Sequence, residues 1–260
     1  MTDDERAQHA ARLRGLLYLA CPVSPASAIE STAEAITQHA EETPGEPVPE
    51  AAQLSQPQQQ PSDVDRLNLT HAKLVEADLS RANLPRADLS NADLFRASLS
   101  GADLTDARLV NADLTQADLT NTNLSGANLT HAKLTRANLT QADLTNTNLS
   151  GANLTHANLT DANLPRINLF RADLTDANLS GANLPGADLT DANLTGANLT
   201  DAMLTGATNM RLPGGAIWNR QTLWPANLES DISEQSDEVS PGVYQVRGGG
   251  QSPNHDTVRV

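Results

Sequence analysis

The sequence predicts an all-β solenoid, a chain that coils on itself and turns within every five residues. Three observations predict it. Leucine occupies every fifth position from Leu69 to Leu204, 28 times without a miss. The residue two before it is Ala in 24 of those 28 units. The residue just before it is Asp or Asn in 23 units, and the residue just after is Thr or Ser in 21. With leucine as position 0, a unit reads Ala(−2), Asp/Asn(−1), Leu(0), Thr/Ser(+1), any(+2).

A period of five fits neither ordinary template. On an α-helix five steps rotate each Leu by about 140° from the last, so no apolar stripe forms. On a continuous strand an odd period sends successive Leu to opposite faces. The chain therefore has to turn in every unit to bring each Leu back to one interior. Asp, Asn and Gly suit such turns because they tolerate unusual backbone angles and bond their own backbone. Leu and the small Ala(−2) are expected inside, with Leu69, Leu89, Leu109, Leu129, Leu149, Leu169 and Leu189 forming one core column. Positions −1, +1 and +2 are expected to face water.

Units such as ADLTN, ANLSG and ADLTQ are the signature of the pentapeptide-repeat family, known from bacterial proteins, and this chain resembles that family over just over half its length. The resemblance implies a right-handed quadrilateral β-helix with four pentapeptides per coil. Twenty-eight units would then make about seven coils and a rod about 34 Å long at the strand spacing of about 4.8 Å.

Two internal features bear on the coil. Pro85, Pro165 and Pro185 occupy position +1 and lie whole multiples of twenty apart, so four units per coil would put them on one face. Residues 114–132 are identical to residues 139–157, a shift of 25 residues. That is five units rather than four, so the pentapeptide and not the coil is the interchangeable module.

Five segments are expected along the chain. Residues 1–40 read as short helical segments, with Asp3, Asp4 and Glu5 at a helix start and Leu13, Leu16, Leu17 and Ala20 as an apolar side. Three readings compete there: a helix docking on the first coil or on a partner, a secretory signal ending near Ala26-Ser27-Ala28, and a lipid anchor on Cys21. The run is short and opens with acids, against export. The expected location is therefore the cytoplasm, with export through residues 1–28 as the alternative. Residues 41–61, rich in Pro, Gln and Glu, read as a disordered linker. Residues 62–206 are the solenoid. After Leu204 the pattern fails: Met203 breaks position −1 and Asn209 stands where Leu is due. Residues 207–228, with Leu212, Trp218 and Trp224, read as a cap over the last coil, and 219–225 resemble a tail that follows the repeats in some bacterial members. Residues 229–260 read as a mostly disordered tail, with 243–246 able to add an edge strand.

The chain carries a net charge of −15 over 260 residues, divided as −6 before residue 62, −7 over 62–205 and −2 after. An acidic chain without a basic patch is a poor direct nucleic-acid binder. With one cysteine no intrachain disulfide can form. No run reaches the roughly 18 apolar residues of a membrane span.

No catalytic, cofactor or metal site is expected. Asp88 and Asp188 fall on one face five coils apart, too far to work as a pair. His71 and His131 share a face about 14 Å apart, and His156 falls on the next. The departures worth following are Phe95-Arg96 and Phe170-Arg171, where an aromatic replaces Thr/Ser and an arginine follows it; such pairs anchor protein contacts, although one segment can equally be a copy of the other. Asn138, Asn158, Asn178 and Asn198 are expected to stack as a ladder.

The function expected from this is a non-enzymatic interaction or scaffold module with an unidentified protein partner. The second reading comes from the resemblance. Some members of the family are acidic rods that mimic DNA, occupy a type II topoisomerase such as DNA gyrase, and protect it from quinolones. Ten bases interspersed among the acids of residues 62–205 are a thin basis for mimicking a duplex. Dimerisation is not legible in the sequence.

Overall fold

The structure is a computed structural model of the whole chain, and it describes residues 67–211 and 213–247. The expectations for residues 1–40 and 41–61, for Leu212 and for 248–260 lie outside the described residues.

Each unit pairs in parallel with the unit twenty residues on, from Asn68 with Asp88 through Asn183 with Met203. Four units therefore make one turn. The faces are named here from the first coil: the Leu69, Leu74, Leu79 and Leu84 columns are faces one to four. Pro85, Pro165 and Pro185 share face four.

The backbone accounts for itself in a unit with Asp or Asn at −1 and an N–H at +1. Around Leu119 the Leu N–H donates to Asn138 O on the next coil at 2.7 Å, and the Asn121 N–H donates to Thr140 O at 3.0 Å. The −1 N–H of Asn138 donates back to Ala117 O at 2.9 Å. The Thr122 N–H closes the turn onto Leu119 O at 3.1 Å. That leaves the N–H at +1, which donates to the side chain at −1: Thr120 N–H to Asp118 Oδ1 at 3.0 Å. Buried donors have to find acceptors, and all five do.

This pattern explains the repeat residue by residue, and it revises two expectations. Asp/Asn(−1) does not occupy the turn; it sits on the ladder and caps the turn that follows, taking the +1 N–H and often the +1 hydroxyl as well. Asn128 Oδ1, for example, accepts Thr130 N–H at 3.0 Å and Thr130 Oγ1–H at 2.6 Å. Because the side chains at −1 and +1 lean on each other, they are mostly half-buried rather than open to water. The turn's strained slot is +2, at φ 55–60° in its non-glycine members and 65–70° in its glycines, from His71 to Gly206. No β-branched residue stands at +2 in any of the 28 units, as that left-handed geometry requires.

Burial outweighs this strain. All 28 leucines are buried, none more than 3% exposed. Each buried side chain contributes about 2 kcal/mol, against about 1 kcal/mol for a non-glycine residue in the left-handed region. Thr122 and Thr147, which replace Ala(−2), are buried without cost to hydrogen bonding. Their hydroxyls donate to Leu99 O and Leu124 O, each at 2.8 Å.

The C-terminal end is larger than the expected cap. An eighth, irregular coil fills the interior slots with other residues. Asn209 turns outward at φ 56° and Met210 takes the interior beside the Leu189 slot. Pro213 sits at the next slot, where its missing N–H would have had no further coil to reach, and the turn after it closes normally (Ala216 N–H to Pro213 O, 2.9 Å). Trp218 and Trp224 occupy the slots above Leu199 and Leu204, edge to face at 5.9 Å. The tail expected to be mostly disordered is ordered as far as Arg247. Strand β1 (Ile217–Asn219), helix α1 (Glu229–Glu234), β2 (Ser236–Ser240) and β3 (Val243–Val246) follow, in an antiparallel sheet of order β1-β3-β2. Residues 243–246 thus form the central strand and not an edge. Ile232, Leu228 and Val246 are buried, and Tyr244 stacks on Trp218 at 4.7 Å. The polar composition of 229–247 hid this because a lid one layer deep needs only four apolar residues facing the coil.

Candidate functional site

Asp88 and Asp188 lie on face one five coils apart and do not meet. Asp88 Oδ1 accepts the Ser90 N–H at 3.0 Å, while its other oxygen is 4.0 Å from Arg108 Nε. Asp188 Oδ1 accepts the Thr190 N–H at 3.0 Å and the Thr190 hydroxyl. Those two bonds hold its carboxyl below the usual carboxylate range, with burial opposing them. Both aspartates are turn caps.

Phe95 and Phe170 are half-buried rather than exposed. Each is covered by the arginine after it, Arg96 at 5.0 Å and Arg171 at 4.8 Å from the ring centroid. Arg96 is also tied to Glu76 at 3.4 Å and to Gln116 at 3.0 Å, and Arg171 approaches Asp191 at 3.8 Å. The two pairs lie on neighbouring faces, roughly 18 Å apart along the axis. They are two separate features and do not make one patch.

Six ion pairs between described residues of the rod each join residues twenty apart in sequence: Arg96–Glu76, Arg108–Asp88, Lys133–Asp113, His156–Asp176, Arg171–Asp191 and Arg211–Asp191. They run along the axis, acid over base. Exposed pairs of this kind add little stability, but they set a base beside an acid in the −1 columns of faces one and two, at Arg108 and Lys133. The asparagine ladder is present on face three. Asn158 Nδ2 donates to Asn138 Oδ1 at 3.4 Å and, more closely, to Thr140 Oγ1 at 2.9 Å, and Asn178 and Asn198 continue it. Among the described residues no group of His, Cys, Asp and Glu could hold a metal ion, and no helix is long and apolar enough to cross a membrane.

Eight copies of the family profile described as Pentapeptide repeats match residues 65–101, 97–136, 132–169 and 172–208. The chain belongs to the pentapeptide-repeat family. Pentapeptide-repeat proteins form right-handed β-helices, and the twenty-residue pairing is one turn of that helix. Among solved structures this pentapeptide-repeat chain is similar to HetL, involved in heterocyst differentiation regulation in the cyanobacterium Nostoc sp. strain PCC 7120. The identity is 43% over 60% of this chain and 78% of that one, with a TM-score of 0.32. It is also similar to alr5209, a pentapeptide repeat protein from Nostoc PCC 7120, at 32% identity over 47% of this chain and 79% of that one, TM-score 0.21. A trypsin-treated variant of QnrB1, a plasmid-mediated fluoroquinolone resistance protein, matches at 19% identity over 64% of this chain and 86% of that one, TM-score 0.37. No curated protein matches the chain.

One surface feature escaped the sequence reading. Met203 is the one apolar residue at position −1 in the 28 units, and it pairs with Leu223 on the eighth coil. Both are exposed, at 40% and 46%. Met203 was legible as a break in the repeat. Its contact with Leu223 was not, because the irregular eighth coil shifts the register before restoring it.

Proposed function

We propose that this protein is a non-enzymatic scaffold, a right-handed quadrilateral β-helix of about seven regular coils that presents side chains at fixed spacing to a protein partner. The observation that carries this reading is the axial pairing of acid with base at twenty-residue intervals. A rod that imitates a duplex needs an unbroken run of negative charge. Here Arg108 follows Asp88 on face one, and Lys133 follows Asp113 on face two. The topoisomerase-binding reading rests on overall acidity and family resemblance, and it has less support.

The test is affinity capture of the tagged full chain from its host's lysate at low and at moderate salt. Recovery of a protein partner that persists at moderate salt and is lost with Arg96→Ala and Arg171→Ala supports the scaffold. Recovery of a gyrase or topoisomerase subunit that leaves as salt rises, and that Asp88→Lys with Asp188→Lys abolishes, overturns it in favour of mimicry.

A further inference from the structure

Face four departs from the grammar of the other three. It alone carries proline at +1, and toward the C-terminal end its −1 column runs Asn163, Asn183, Met203, Leu223. Internal satisfaction is given up here too: Asn183 Oδ1 is buried without a donor. Pro185 offers it neither N–H nor hydroxyl, and Met203 above offers no amide. Asn163, which also faces a proline, is rescued by the Asn183 amide at 3.0 Å.

The edges of this face carry opposite charges. On the edge entering it stands Asp161, and on the edge leaving it, in the same coil, stands Arg166. Both are exposed, and neither takes part in an ion pair among the described residues.

We propose that face four, from Asp161 to Leu223, is the contact through which two copies of this chain associate side by side, with their axes parallel. The two-fold axis would run along the rods. That operation brings the entering edge of one copy against the leaving edge of the other at the same height. Asp161 then meets Arg166 of the second copy twice over, and in their own coils Met203 faces Thr205 and Leu223 faces Pro225 of the second copy, each one or more coils above Pro185. The antiparallel arrangement would set Asp161 and Asp201 of one copy against the same acids of the other, whereas the parallel one brings like charges together only outside the Asp161–Leu223 contact, at Arg81 and Arg86. Two chains of net charge −15 repel, so they approach best where the surface is apolar and self-complementary. One face of the rod is narrower than the roughly 800 Å² per partner of a stable interface, so the dimer is weak and concentration-dependent.

Sedimentation of the full chain over a concentration series tests this. A monomer–dimer equilibrium is expected, with the dissociation constant raised at least tenfold by Met203→Asn with Leu223→Asn. Asparagine at 203 restores the repeat, so unchanged far-UV dichroism and tryptophan emission separate lost association from lost fold. Asp161→Arg alone and Arg166→Asp alone are each expected to stay monomeric, and an equimolar mixture of the two is expected to dimerise, because both cross pairs are then complementary. A wild-type monomer up to about 1 mM, a double variant that dimerises as the wild type does, or a mixture that does not associate would each overturn the proposal.

Discussion

At position −1 a single oxygen does the work that makes each turn possible. Asp and Asn serve equally as caps because both present Oδ1 to the N–H two residues on. They differ in charge, and so in their response to pH. The Asp188 carboxyl lies below the ordinary range because the Thr190 hydroxyl and N–H bond its ionised form. For Asp143 burial pushes the other way, but bonds from Thr145, Asn163 and Ser125 outweigh it. A carboxyl whose folded pKa is depressed contributes stability above its unfolded pKa and loses it as pH falls through the folded value. Unfolding midpoints are therefore expected to drop below about pH 4. Asp143→Asn with Asp188→Asn should flatten that drop while leaving the midpoint at pH 7 nearly unchanged, as read by urea titration at each pH. Asn183 gives the complementary case. Pro185→Thr supplies an N–H and a hydroxyl to its orphaned Oδ1 and is expected to stabilise the protein by about 1 kcal/mol in the same titration.

For the pentapeptide as an element, the duplicated segment supplies a natural experiment. Thr122 and Thr147 are equivalent residues of the two copies, and they lead into faces four and one. Each nevertheless donates to the Leu carbonyl 23 residues earlier at 2.8 Å. The module makes the same contacts whichever face it lands on, because all four faces share one set of ladder bonds. Deleting residues 133–157 joins Ala132 to Asn158 and keeps the repeat in phase. It is expected to leave a β-type dichroism spectrum and one cooperative unfolding transition, with the C-terminal lid turned by one face. Deleting 135–157 instead puts Leu out of phase and is expected to abolish the cooperative transition.

For the whole molecule, stability is a stack of nearest-neighbour terms that has to be closed at its ends. Both tryptophans of the chain sit in the eighth coil, so their fluorescence reports on that closure alone. Trp218 donates to Ser236 Oγ at 2.9 Å and stacks on Tyr244. Ending the chain at residue 228 removes both contacts along with α1, β2 and β3. The truncated protein is expected to show red-shifted tryptophan emission and a lower unfolding temperature, while the far-UV spectrum of the regular coils persists.

The repeat by itself determined that the chain coils, which residues lie inside, and that one unit can replace another. These follow from a period that neither helix nor strand can satisfy, repeated 28 times. Recognition of a family with four units per coil also placed the prolines on one face and the asparagines in a ladder. Only the tertiary structure showed that Asp/Asn(−1) caps the turn rather than forming it, since that depends on a bond to an N–H whose free direction no sequence spacing reveals. Only it showed that Phe95 and Phe170 lie under their arginines, that residues 229–247 fold as a lid, and that Met203 meets Leu223. These contacts join parts of the chain outside the repeating period, or depend on side-chain direction within it, so periodicity carries no signal for them. Their geometry is set instead by how an irregular last coil packs onto a regular one.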